Sequence, residues 1–169
     1  MEVSLRKFEE IDIPKKVRWI NDPNVNRYLH YDLPLEEEKT KVWFKKNKES
    51  TTRFDAVINV DNISVGLIGL LSIDSKNKKA EYYVCIGEQA YLGKGIAKKA
   101  SIKLLDYAFN TLLLNKVYLY TEDVNVNAQC LFEKIGFKRE GLLMDDLIYN
   151  GRHVNRFAMG ILRKDFIKE

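Results

Sequence analysis

The residues best suited to chemistry lie in one short stretch, Leu92-Gly93-Lys94-Gly95-Ile96-Ala97. It follows the apolar run Tyr82-Tyr83-Val84-Cys85-Ile86 and opens a helical pattern from Ile96 to about Leu113. A strand, a tight glycine turn and a helix together aim unpaired backbone N–H groups and a positive dipole end at an anion. Side chains at Gly93 or Gly95 would hold that anion away from the amides. A phosphate-bearing ligand is the expected occupant. The turn is not a P-loop, because Ile96 follows Gly95 where Lys and then Ser or Thr would be needed. Nor is it a dinucleotide fingerprint, which needs three glycines near the first strand and an acid on the next. The alternative is an ordinary strand-to-helix turn that uses glycine for its backbone freedom.

The elements that must position this turn follow from periodicity. Val3 to Phe8 alternates and reads as a strand, and Pro14 suits the first turn of a helix carrying Val17 and Ile20. Asn21-Asp22-Pro23 stops that helix, since the residue before proline leaves helical geometry. Leu35 to Lys48 reads as a charged helix with Val42, Trp43 and Phe44 as its apolar stripe. Glu36, Glu37 and Glu38 fall in its first turn and lysines in its last. Three strands follow, Phe54 to Val60, Ile63 to Ile73 and Ala80 to Ile86. The short Asn- and Asp-bearing turns between them indicate antiparallel hairpins. Gly66 and Gly69 inside the second strand predict a bulge or a close approach. Beyond the glycine turn, Ile102, Leu105, Ala108 and Phe109 mark one helical face. Val117 to Thr121 is a strand, and Asn125 to Ile135 a helix capped by Gly136. Phe137 to Tyr149 and His153 to Leu162 close around Asn150-Gly151, a strong hairpin signal. The order is βααβββαβαββ, an α/β (α+β) fold with a mixed, mainly antiparallel twisted sheet and helices on both faces.

Composition sets bounds. The 169 residues fit a single domain, 1–169, and 46% hydrophobic with 31% charged residues describes an ordinary globular chain. A formal charge of +4 suits an anionic ligand but is too small and dispersed to indicate nucleic acid. Cys85 and Cys130 sit in apolar patterns and read as free, buried thiols of a reducing, cytoplasmic compartment. Two cysteines with only His30 and His153 do not make a zinc cluster, so no metal is expected. The run Val65 to Leu71 is far too short to cross a bilayer, and Val3-Ser4-Leu5 does not open an apolar signal segment, so no membrane partner is expected.

In this order of elements the chain resembles the GNAT family, the GCN-five-related N-acetyltransferases. Leu92-Gly93-Lys94-Gly95-Ile96-Ala97 aligns with the family's Gln/Arg-x-x-Gly-x-Gly/Ala motif. Asn125-Val126-Asn127-Ala128 and Glu133-Lys134-Ile135-Gly136-Phe137 match its second motif. The resemblance implies acetyl-CoA as co-substrate, its pyrophosphate on the amides of Leu92 to Ala97, with Lys94, Lys98 and Lys99 nearby. It implies a pantetheine arm in a gap beside Val84, Cys85 and Ile86, held from the other side by Asn125. Asn125 also suits the N-cap of its helix. Two positions depart from the pattern. Leu92 replaces the usual Gln or Arg. Phe132 replaces a tyrosine that in many members protonates the departing thiolate; Cys130 is a neighbouring thiol.

The family's reaction is attack of an amine on the thioester, which needs a base and donors facing the oxyanion. Glu81, at the start of the strand bordering the thioester, is the implied general base; the alternative is a strand carboxylate balancing Lys78 or Lys79. Glu122, then Asp123, come second, or bind a cationic acceptor, while His30 and His153 lack a local catalytic pattern. The aromatic loop Arg27 to Asp32 supplies Tyr28, His30 and Tyr31 as expected acceptor contacts for a sugar or a peptide terminus; the alternative is an ordinary hydrophobic lid. Trp19 to Val25 and Trp43 resemble two branches, one acetylating amino sugars on nucleotide carriers and one acetylating ribosomal-protein N-termini. The partner is therefore a small-molecule amine, with an amino-sugar nucleotide favoured, or a peptide N-terminus; a catalytically weak acyl-CoA-binding domain is the third reading. The chain is expected to act as a monomer or homodimer.

Overall fold

Alternating side chains along the central strands decide the layering. The computed structural model describes residues 1–166; residues 167–169, the end of the expected domain, lie outside the described residues. On one side of the sheet Ala56, Ile58, Ile68, Leu70, Ala80 and Tyr82 pack with Ala100, Leu104, Leu105 and Phe132. On the other, Val57 and Leu67 pack with Phe8, Ile13 and Trp19, flanked by Trp43, Phe44 and Tyr83. Helices therefore cover both faces, as expected.

The elements are β1 (Val3–Lys7), α1 (Ile13–Asn21), α2 (Pro23–Asn26), α3 (Glu37–Asn47), β2 (Phe54–Val60), β3 (Ile63–Asp74), β4 (Lys79–Ile86), α4 (Ile96–Asp106), β5 (Lys116–Glu122), α5 (Val126–Ile135), β6 (Lys138–Tyr149) and β7 (Arg152–Leu162). They form a seven-stranded sheet in the order β1-β2-β3-β4-β5-β7-β6. Every neighbouring pair is antiparallel except β4 and β5, which the α4 crossover makes parallel. Asn150 and Gly151 both adopt positive φ, +50° and +76°, the pair a tight type I′ hairpin requires. Gly66 and Gly69 serve close approach: a Cβ on either would lie 2.3 Å from a neighbouring carbonyl oxygen, that of Cys85 or Phe54. The predicted irregularity is also present, as a register shift at Ile58/Asn59 opposite Gly66 and Ser64.

Four expectations are corrected. The helix after the glycine turn is α-helical only to Asp106 and continues as a π turn, Tyr107–Thr111, leaving Leu113 exposed and Ile102 half-exposed. That wider turn seats Tyr107 against Phe54 and Phe109 against Phe166, a choice apolar periodicity does not encode. The third helix starts at Glu37 with Glu36 outside it as N-cap, and Val42 is 67% exposed. Consecutive helical residues diverge by about 100°, so Trp43 and Phe44 reach Phe8 while Val42 turns outward. A one-turn helix, Pro23–Asn26, follows the break at Asp22, whose side chain accepts from the Asn24 amide. Cys130 is exposed rather than buried, because α5 packs through Gln129, Phe132 and Ile135. No helix among the described residues is long and apolar enough to cross a membrane.

Candidate active site

β4 and β5 stay paired for only three positions, ending at Glu81 opposite Tyr118. β4 runs on to Ile86 and β5 to Glu122, so the two strands part and leave an unpaired edge on each. On β4 the Cys85 carbonyl points toward β3, close to Gly66. Alternation then turns the N–H and C=O groups of Val84 and Ile86 to the open edge. Of the three residues expected to border the gap, Val84 and Ile86 present backbone groups to it. Cys85 presents its thiol to the α1/α3 face, where burial pushes its pKa up to about 12.

Ahead of α4, Gly93 and Gly95 adopt φ of +71° and +73°, with no atom within 4 Å of where a Cβ would project. The amides of Gly93, Lys94 and Gly95 take no backbone hydrogen bond among the described residues, whereas Leu92 donates to Gln89. Gly95 is the N-cap of α4, so the first-turn amides beginning at Ile96 and Ala97 add further donors. Leu92 and Lys94 are exposed, Ile96 is buried beneath the turn, and Lys94 lies 5.4 Å from the Tyr91 ring centroid. An exposed row of donors at a helix start is an anion cradle with an unobstructed mouth.

A cavity of about 560 Å³ opens where the strands part. Glu81, Val84 and Cys85 line it from β4, Tyr120 and Glu122 from β5, and Asn125 and Phe132 from α5 and its cap. Tyr28, His30 and Tyr31 line it from the loop after α2, so this cavity gathers all three expected acceptor residues. Asn125 does cap α5, its side-chain oxygen accepting from the Ala128 amide at 3.3 Å. Phe132 meets Tyr82 edge-on at 5.9 Å and brings no proton donor. Tyr82 offers none either: its hydroxyl is held by Ser101 at 2.5 Å, and burial raises its pKa. Asp123, His153 and Cys130 do not line the cavity.

The two carboxylates of the cavity differ. Glu81 is half-buried, with no hydrogen bond or ion pair to it among the described residues; burial raises its pKa, opposed by the charge of Arg156. Glu122 is 2% exposed and accepts from Arg152 Nη1 at 2.8 Å and from His30 Nε2 at 3.1 Å. Burial pushes its pKa up, but the hydrogen bonds and charges of Arg152 and His30 outweigh that and hold it low. Glu122 is thus a buried, doubly partnered carboxylate, and Glu81 a half-buried one with no such partner among the described residues.

Sequence reasoning missed the cations here. Arg53 and Arg156 line the cavity, each tied to a carboxylate: Asp55 at 2.6 Å and Asp146 at 2.7 Å. Lys16 lines it too, 6% exposed. Its signal was present, since Ile13, Lys16 and Ile20 fall at helical spacing on one buried face. Arg152 carried no local signal beyond following the Asn150-Gly151 turn.

Residues 2–138 match the acetyltransferase (GNAT) domain family. The spermidine N(1)-acetyltransferase of Escherichia coli (strain K12) is 32% identical over 170 residues, covering 99% of this chain and 89% of that protein. The spermidine N(1)-acetyltransferase of Vibrio cholerae is 29% identical, covering 98% and 96%. The crystal structure of the V. cholerae spermidine N-acetyltransferase in complex with CoA and spermine superposes with a TM-score of 0.89 at 28% identity, over 96% of each chain. The parted parallel strands, the glycine cradle and these matches lead to one conclusion: the chain belongs to the GNAT acetyltransferases, acyltransferases that draw on acetyl-CoA and, among these relatives, act on small-molecule amines.

Proposed function

We propose that the chain transfers acetyl from acetyl-CoA to the primary amine of a small hydroxylated molecule of the amino-sugar class, with Glu81 as general base. The observation that carries this reading is the placement of Glu81. It is the last β4 residue paired to β5, it lines the cavity shared with Tyr28, His30 and Tyr31, and it lacks the partner that occupies Glu122. Burial raises its pKa, against the charge of Arg156, which makes it a stronger proton acceptor than an ordinary exposed carboxylate. Acetyl-CoA supplies the activated acetyl thioester. The cradle residues Gly93 to Ala97 suit its pyrophosphate, and the open backbone groups of Val84 and Ile86 suit the amides of its arm. Asn125 lies across the gap from them. An open N–H on that edge is also the kind of donor a developing oxyanion requires.

Glu81 takes one proton from the substrate ammonium, and the free amine attacks the thioester carbonyl. The carbon–sulfur bond breaks, and the second amine proton reaches the thiolate by way of water, since Phe132 supplies none. A thiolate is stable enough near neutral pH to leave in this way.

The relatives' names favour spermidine as acceptor. The lining carboxylates count against it, for among the described residues these are Glu81 and Glu122, and Glu122 is already neutralised by Arg152. A polyamine needs a further free anion to hold its second ammonium. Thiol release from acetyl-CoA with glucosamine, spermidine and a peptide with a free N-terminus separates the readings. Release above background hydrolysis with the amino sugar is expected, and release with spermidine or the peptide alone would overturn the acceptor class. Glu81→Gln should lower kcat by about 10²-fold, leaving the thermal shift induced by CoA unchanged. Unaltered turnover would remove Glu81 as the base.

A further inference from the structure

The cavity contains a buried cation that no carboxylate among the described residues pairs with. Lys16 extends from α1 with its Nζ 3.5 Å from the Trp43 ring centroid and 5.6 Å from that of Phe8. The aromatic face satisfies one side of the ammonium, and no ion pair reaches it among the described residues. Asp55, whose field does reach Lys16, is engaged by others. Arg53 donates to it at 2.6 and 3.0 Å, and the Tyr83 hydroxyl at 2.5 Å. Arg53 itself lies 5.0 Å from the same Trp43 ring. Two cations thus flank Trp43 against one carboxylate, leaving this part of the wall with an excess positive charge. Arg156 adds no second free cation, because Asp146 holds it. His30 points to Glu122.

A buried ammonium without a counter-ion is costly to the fold, and an aliphatic side chain of similar length would fill the same space. What an aliphatic residue does not supply is a desolvated donor in the wall of the cavity, where a charge-assisted hydrogen bond is strongest. We infer that Lys16 seats an anionic group, a carboxylate or a phosphate, on the acceptor, so that the substrate is an amine that also carries negative charge. This rests on the reading of the cavity as the acceptor pocket. It adds a selection rule: an amino sugar bearing phosphate, or an amino acid, gains at Lys16, while the second ammonium of a polyamine is repelled there.

The test uses the full-length enzyme, acetyl-CoA and matched acceptor pairs. Glucosamine 6-phosphate against glucosamine probes phosphate, and γ-aminobutyrate against its amide probes carboxylate. In one pair the anionic member should have the higher kcat/KM by about tenfold or more, the effect of one charge-assisted hydrogen bond. Lys16→Met should abolish that preference through KM, the ratio of kcat/KM between the anionic and neutral members falling to about one, since it deletes one charge while keeping the stem's volume. Thermal melting verifies that the variant is folded. Equal rates for both members of both pairs would overturn the proposal, as would a Lys16→Met loss shared by charged and neutral acceptors. If no amine of any kind is acetylated, the proposed activity fails and the anion site is judged by binding. Titration with glucosamine 6-phosphate should then give a saturable change in tryptophan fluorescence that Lys16→Met removes, and no such change would end the proposal.

Discussion

Lys16 carries charge on a helix face that otherwise buries Ile13, Trp19 and Ile20. Burial lowers its pKa to about 8 from the ordinary 10.5, with Asp55 opposing and Arg53 reinforcing the shift. The unfolded chain therefore binds the proton more tightly than the folded one, and the ammonium destabilises the fold by about 3 kcal/mol below pH 8. Stability should rise as pH climbs from 8 to 10.5, where the folded state no longer holds that proton. Lys16→Met is expected to raise the denaturant midpoint at pH 7 and to lose that advantage across the same window. A gain constant with pH would show that packing, not charge, is responsible. Glu81 obeys the opposite rule as a base: it acts when ionised, and burial has raised its pKa. The acid limb of kcat/KM should sit above the ordinary carboxylate range, and Glu81→Gln should erase it.

At the scale of elements, two glycines do unlike work. Gly87 closes β4 against α1: a Cβ there would lie 2.2 Å from Cγ of Trp19, whose indole N–H also donates to Glu88 at 2.8 Å. Gly87→Ala should push α1 off the sheet, costing about 1–3 kcal/mol and weakening acceptor use through displaced Lys16. Gly95 has open space at its Cβ and a φ of +73°. Gly95→Val should therefore cost only about 1–2 kcal/mol of stability, yet remove the thermal shift given by CoA. A retained shift would detach the glycine turn from the cofactor. These elements differ in how far the sequence displayed them. Strand alternation, the Asn150-Gly151 turn and the Gly136 cap are local, and they were legible together with the parallel crossover between β4 and β5; the order of strands in the sheet was not. The π turn at Tyr107 and the outward Val42 were not, because each is decided by which side chain finds space against the sheet. The same division holds at the site. The glycine cradle and the Val84 edge are backbone features of contiguous residues, whereas the Glu122–Arg152 pair joins positions brought together only by the fold.

Across the whole molecule, Glu122 ties the loop after α2 to the far end of the sheet. His30 comes from the loop, Glu122 from β5 and Arg152 from the start of β7. Tyr149, at the end of β6, donates to the Tyr31 carbonyl at 2.7 Å and meets the His30 ring at 5.2 Å. The β6–β7 hairpin tip thus clasps the loop that lines the cavity, and the buried carboxylate is the centre of the clasp. Glu122 has its pKa held low in the fold, against burial, by Arg152 and His30. Its contribution to stability is therefore present above the unfolded carboxylate range and lost as pH falls through the folded value. Arg152→Ala leaves this anion with His30 alone, so it should move acid unfolding to higher pH. His30→Ala should do the same, and the double variant should lose less than the two single losses added, because both act on one carboxylate. Loosening the clasp should raise the acceptor KM in each single variant while the CoA-induced thermal shift stays as in the wild type. Additive losses, or an unchanged acid midpoint, would mean that the hairpin and the loop are held independently of Glu122.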